Sequence, residues 1–145
     1  MKQIILYGTG DAGKTTTLYK LYEKHIKDNI DFTVLEIKFS GKDYMAIVKH
    51  KGYKIGIYTW GDTKKLIDEG VEYTKECDIV VCVARSRGAG YQYFNELKVP
   101  QIWIEMGRFS NKNGAISDLE NDSFRDAITD QTASYIYQVL QLLCK

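Results

Sequence analysis

The chain has 145 residues, with 20 Lys+Arg against 19 Asp+Glu, so it is one domain able to bury roughly 70% of its unfolded surface, with no global field to recruit nucleic acid or an anionic membrane. Cys77, Cys82 and Cys144 are odd in number and lack CxxC spacing, which reads as reduced thiols and argues against a disulfide frame or a zinc site. No apolar run approaches the ~20 residues of a membrane span, and the N-terminus runs straight into a strand without room for a signal peptide, so a cytoplasmic location is expected.

Residues 3–7, Gln3-Ile4-Ile5-Leu6-Tyr7, are a short apolar run suited to a buried strand. Gly8-Thr9-Gly10-Asp11-Ala12-Gly13-Lys14-Thr15 follows and fits G-x-x-x-x-G-K-[ST] at every fixed position. Leu18, Leu21, Tyr22 and Ile26 then recur at helical steps, which predicts a helix over 14–28. In 32–39, Leu35, Ile37 and Phe39 alternate with Glu36 and Lys38, the pattern of a half-buried strand. Ser40-Gly41-Lys42-Asp43 is turn chemistry, and strands over 44–50 and 53–59 flank Lys51-Gly52, the spacing of a tight hairpin. Leu66, Ile67, Gly70, Val71 and Thr74 predict a helix over 63–77. The stretch 78–84, apolar without a break from Ile79 onward, marks a central parallel strand covered on both faces. A short helix over 90–97, a strand over 100–106 and a polar loop over 107–122 come next. Ser123-x-x-Asp126 is expected to open the last helix, whose Phe124, Ile128, Tyr135, Val139 and Leu142 share a face. The expected fold is a three-layer α/β sandwich with a mostly parallel sheet and an antiparallel hairpin at one side.

The motif is a phosphate cradle. Its glycines let the backbone wrap so that several N–H groups converge on one anion. Lys14 reaches the β/γ-phosphates and is expected to face solvent without ligand, while the Thr15 hydroxyl serves Mg²⁺. The expected nucleotide-binding set is Gly8, Gly10, Asp11, Ala12, Gly13, Lys14, Thr15 and Thr16. Asp11 is expected to point outward, because a carboxylate turned inward repels the γ-phosphate.

In open α/β sheets the residues just past each strand build the site. Trp60-Gly61-Asp62-Thr63 ends the 53–59 strand, which makes Asp62 the natural metal partner of Thr15; its other role is to N-cap the following helix. Arg85 and Arg87 follow the 78–84 strand, where a guanidinium neutralises charge on a transferring phosphate or clamps an anionic substrate, or is solvated surface charge. The expected catalytic set is therefore Lys14, Asp62, Arg85 and Arg87, with Thr15 and Asp62 on the metal. His25 and His50 stand alone and read as structural. Tyr91, Tyr93 and Phe94, just after the arginines, read as packing, the alternative being the wall of a base or partner site.

The order of phosphate loop, helix, antiparallel hairpin, Gly-Asp strand end and two further β/α units resembles the P-loop NTPase superfamily, and within it the small-GTPase-like branch. The loop is also similar to that of heterotrimeric G-protein α subunits, which carry an acidic residue where Asp11 stands. The resemblance implies the phosphate role of Lys14 and the Mg²⁺ role of Thr15. The chain departs from the GTPase pattern at three points. Thr59-Trp60-Gly61-Asp62 replaces D-x-x-G, Gly107-Arg108-Phe109-Ser110 stands where N-K-x-D is due, and no glutamine follows Asp62 to orient water. ATP is therefore expected ahead of GTP, with Mg²⁺ and slow hydrolysis. The alternatives are a small-molecule kinase, and a GTPase-like switch whose bound state a protein partner reads.

Overall fold

The apolar run at the N-terminus forms β1 (Lys2–Gly8) in a computed structural model that describes residues 1–9, 13–61, 63–107 and 109–145. Helix α1 (Lys14–Lys20) follows the glycine-rich loop and continues into a π-helical segment, Leu21–Ile26. There Lys27 N–H donates five residues back, to Tyr22 O at 2.8 Å. The expected single α-helix over 14–28 thus changes its hydrogen-bond period partway, which spacing of apolar residues does not reveal.

Strands β2 (Thr33–Ser40), β3 (Asp43–His50) and β4 (Tyr53–Tyr58) form an antiparallel meander. Its second turn is the expected one, with Lys51 at φ 51° and Gly52 at φ 84°, the left-handed pair that a two-residue hairpin needs. Helix α2 (Lys64–Tyr73) leads to β5 (Ile79–Arg85), α3 (Ala89–Glu96) and β6 (Gln101–Glu105), and α4 (Asp118–Leu143) closes the chain.

Among the described residues these six strands make one sheet in the order β2-β3-β4-β5-β1-β6. The ladders β4–β5, β5–β1 and β1–β6 are parallel, while β2–β3 and β3–β4 are antiparallel. This corrects the expected mostly parallel P-loop NTPase sandwich: the sheet is mixed, and half of its strands belong to the meander. The physical reason is local. Two short turns reverse the chain in succession between β2 and β4, where no helix intervenes, and a parallel pairing there would require a crossover segment.

Helices cover both faces. On one, Leu18, Leu21 and Ile26 pack with Ala133, Ile136 and Leu140 of α4 against Ile4, Leu6, Val81 and Val83. On the other, Ile67 of α2 and Phe94 of α3 pack against Ile5, Val80, Cys82 and Ala84. Strand β5 therefore sends alternate residues into two cores, which is why its run is apolar throughout. Strand β2 departs from simple alternation. A bulge between Val34 and Glu36 shifts the register, so Val34 and Ile37 pack on the core while Leu35 and Phe39 stay half exposed. Helix α4 starts earlier than expected, at Asp118, because Ser117 and Glu120 form a reciprocal capping box. A glutamate at the third position reaches the N-cap N–H; Asp126 is instead engaged by Lys20, with Nζ to Oδ1 at 2.5 Å.

One close approach gives a stability prediction. A Cβ on Gly70 would stand 2.5 Å from two ring carbons of Tyr58, which is itself 1% exposed and cannot swing away. Gly70→Ala should lower the unfolding free energy by about 1–3 kcal/mol, despite a gain of about 1 kcal/mol in helix propensity. Urea unfolding checks this, and a variant as stable as wild type would contradict the packing.

Candidate functional site

Strand β1 delivers Gly8 and Thr9 to the C-terminal edge of the parallel strands, and Gly13 begins the return into α1. Gly13 holds φ 90°, a left-handed conformation that favours glycine. A Cβ there would also meet Thr129 Cγ2 at 3.0 Å, so α4 closes against the end of the loop. Thr129 is fixed in turn by Lys20, whose Nζ donates to Thr129 Oγ1 at 2.7 Å. Gly10, Asp11 and Ala12 lie outside the described residues, and with them the expected outward turn of Asp11.

Lys14 differs from expectation. It is only 7% exposed, and its ammonium donates to Gly8 O at 2.9 Å and Thr9 O at 2.6 Å. The carbonyls at the start of the loop converge on the positive charge, and charge-assisted bonds of this kind offset its desolvation. Gly8 O also accepts from Ser86 N at 3.0 Å, which ties the loop to the end of β5. Thr16 is half-buried in the first turn of α1. Its neighbour Thr17 turns inward and donates to Gly13 O at 2.8 Å.

The carboxylate beside Thr15 is Asp43. Thr15 Oγ1 donates to Asp43 Oδ1 at 3.5 Å, and Thr59 Oγ1 donates to the same oxygen at 2.9 Å. Thr59 is held by a reciprocal pair, with Tyr44 N donating to its Oγ1 at 3.0 Å and its own N–H donating to Tyr44 O at 3.1 Å. Tyr44 then anchors the hairpin to the helix by donating its phenol to Leu18 O at 2.5 Å. Burial pushes that phenol well above its ordinary 10.0, so it remains protonated and remains a donor.

Asp62, the expected metal partner, lies outside the described residues. Its alternative role as helix cap belongs to its neighbour: Thr63 is the N-cap of α2, its Oγ1 accepting from Leu66 N at 3.3 Å. Strand β5 stands between β1 and β4, so the end of β4 is two strand spacings, about 10 Å, from the strand that carries the loop. Gly61 permits a tight approach at that end, since a Cβ there would stand 2.7 Å from Val83 O.

Arg85 pairs in register with Gly8, which puts it level with the start of the loop. Arg87 lies two residues beyond, in the bend after β5, and both arginines are exposed. Tyr91 packs edge-on against Trp103 and Phe94 is fully buried, as packing residues. His25 stacks on Tyr137 and His50 on Phe32, away from the loop. A groove of about 850 Å³ runs between α2 and the meander, lined by Lys38, Met45, Trp60 and Tyr73 among others; among the described residues, Gly8, Thr9 and Gly13–Thr16 do not line it.

Asp43 escaped the sequence reading because it lay in a segment read only as a turn. The signal was present in the register. Counting back from Lys51-Gly52 through His50–Tyr53 to Met45–Tyr58 brings the first residue of β3 to the C-terminal end of β4, the edge where the loop lies.

Among the described residues no cluster of three or more His, Cys, Asp and Glu side chains suits a metal ion, and no helix is long and apolar enough to cross a membrane. The donor set beside α1, a threonine hydroxyl and one carboxylate, is nonetheless hard oxygen chemistry. It fits Mg²⁺, which takes few protein ligands together with phosphate oxygens and water. Comparison of the chain with protein families, curated proteins and solved structures found no match.

Proposed function

We propose that the chain binds a nucleoside triphosphate, ATP ahead of GTP, together with Mg²⁺, and hydrolyses it slowly. The observation that carries the reading is the placement of Lys14 and Thr15 at the junction of β1, loop and α1, with a carboxylate in reach of the Thr15 hydroxyl. Lys14 would hold phosphate oxygens and Thr15 the metal. When bound, Mg²⁺ neutralises charge on the β- and γ-phosphates. Lys14 supplies a buried positive charge where solvent screens it little. Arg85 lies level with Gly8 and would meet charge that develops during transfer. Slow turnover follows from the absence of a glutamine after Asp62, and from Asp43 Oδ1 being engaged by two threonine hydroxyls rather than directed at a water. The three buried, unpaired cysteines support a reducing compartment, the cytoplasm.

A second reading, a switch read by a protein partner, is favoured by one observation. Asp43 belongs to the β2–β3 hairpin, whose outer strand is a sheet edge with Leu35 and Phe39 half exposed. Occupancy near Thr15 is thereby linked to a surface that another chain can pair with.

Calorimetric titration with ATP and GTP, with and without Mg²⁺, combined with phosphate-release assays, tests the proposal. ATP should bind at least as tightly as GTP, Mg²⁺ should strengthen binding, and release should run well below the roughly 1–100 s⁻¹ of kinases. A large guanine preference would overturn the ATP assignment, and phosphate appearing only with an added acceptor would favour a kinase.

A further inference from the structure

We infer that Asp43 is a positioning carboxylate for the metal, acting through the Thr15 hydroxyl; this rests on the Mg²⁺–nucleotide reading above and goes beyond the expected Thr15–Asp62 pair. Three features carry it. The carboxylate oxygen stands 3.5 Å from Thr15 Oγ1 and 2.9 Å from Thr59 Oγ1. Its backbone is locked by the Tyr44–Thr59 pairing, and the same hairpin is fastened to α1 through Tyr44 and Leu18. The position of Asp43 relative to Thr15 is thus set by two separate elements, β4 and α1, and not by the turn alone.

The chemistry is directional. A hydroxyl that gives its proton to a carboxylate turns its lone pairs the other way, toward a cation, and becomes a better donor to it. Thr59 serves the carboxylate in the same manner, spending its own proton on Asp43 Oδ1 and so fixing the orientation of the group. A carboxylate at this place has a second, opposite effect. Without a cation, its charge repels a triphosphate. Asp43 therefore weakens metal-free binding and strengthens metal-dependent binding, a crossed signature that a purely structural residue does not produce.

The test is ATP titration of the full chain, wild type against Asp43→Asn, in Mg²⁺ and in EDTA, with Mn²⁺ affinity of the ATP complex followed by electron paramagnetic resonance and melting curves recorded alongside. Asparagine keeps an acceptor oxygen for Thr59, so the melting temperature should change little. In Mg²⁺ the variant should bind ATP about 10–100-fold more weakly, and Mn²⁺ affinity should fall similarly. In EDTA it should bind as well as wild type or better. Asp43→Glu, which keeps the charge and serves if the asparagine variant melts early, should restore part of the metal-dependent gain. Combined with Thr15→Ala, the losses should be less than additive, since both act on one ion. An equal Mg²⁺-dependent gain in wild type and both Asp43 variants would overturn the inference and leave the nucleotide reading standing. Failure of the wild-type chain to bind ATP in either condition would overturn the nucleotide reading, and this inference with it.

Discussion

Replacing Lys14 by methionine is expected to reduce ATP affinity by ~100-fold or more, since each charge-assisted hydrogen bond contributes about 1.5–3 kcal/mol and 1.4 kcal/mol is a factor of ten. Methionine keeps most of the apolar stem, so the change isolates the ammonium. The burial of Lys14 adds a consequence that a solvent-facing lysine would not have. The variant leaves Gly8 O with its bond from Ser86 N, but Thr9 O loses the bond from Nζ. The loop should therefore loosen while β1 stays in register, and the melting transition should fall modestly and remain cooperative. Titration calorimetry and a melting curve on the same preparation measure both effects. Unchanged binding of ATP and GTP would remove the phosphate-cradle reading altogether.

The second large effect concerns rate. Phosphoryl transfer is mostly positioning and electrostatic stabilisation, and a charge-neutralising arginine is worth ~10³–10⁵. Replacing Arg85 and Arg87 together by alanine should cut hydrolysis at saturating ATP by the order of 10³, with ATP affinity changing only a few-fold. Arg85 should account for the larger share, because it is level with Gly8 in the β1–β5 ladder whereas Arg87 lies in the bend beyond the strand. Phosphate release by the single and double variants, set beside their dissociation constants, separates transition-state from ground-state effects. Undiminished hydrolysis in the double variant would make both arginines surface charge.

Local structure was legible wherever a short stretch decides its own conformation. Lys51-Gly52 takes the left-handed angles that its position between two strands requires. The unbroken apolar run around Val80 and Val81 marks a strand that feeds two cores, because neither face of it meets water. The early start of α4 was readable in principle, from Ser117-x-x-Glu120. It was obscured because the first turns of that helix are solvated and show no apolar period, and because Ser123-x-x-Asp126 offers a shorter carboxylate at similar spacing. The bulge at Val34 and the π-helical segment after Lys20 were not readable, since each inserts a change of period inside an otherwise regular pattern.

By itself, then, the sequence determined where the glycine-rich G-x-x-x-x-G-K-[ST] pattern lies, which segments are strands or helices, and which turns reverse tightly. These follow from backbone freedom at glycine and from periods of two and 3.6 residues, both properties of neighbours along the chain. Only the tertiary structure decided that β5 separates β1 from β4, that the antiparallel meander supplies half of the strands, that Lys14 is buried, and that Asp43 meets Thr15. Strand order depends on the edge to which each crossover returns, and a strand buried on both faces reads the same in either place. Asp43 and Thr15 are 28 residues apart, and they meet because two hairpin turns and the Tyr44–Leu18 bond fold the meander back onto α1. No local pattern encodes that distance; it is set by long-range packing.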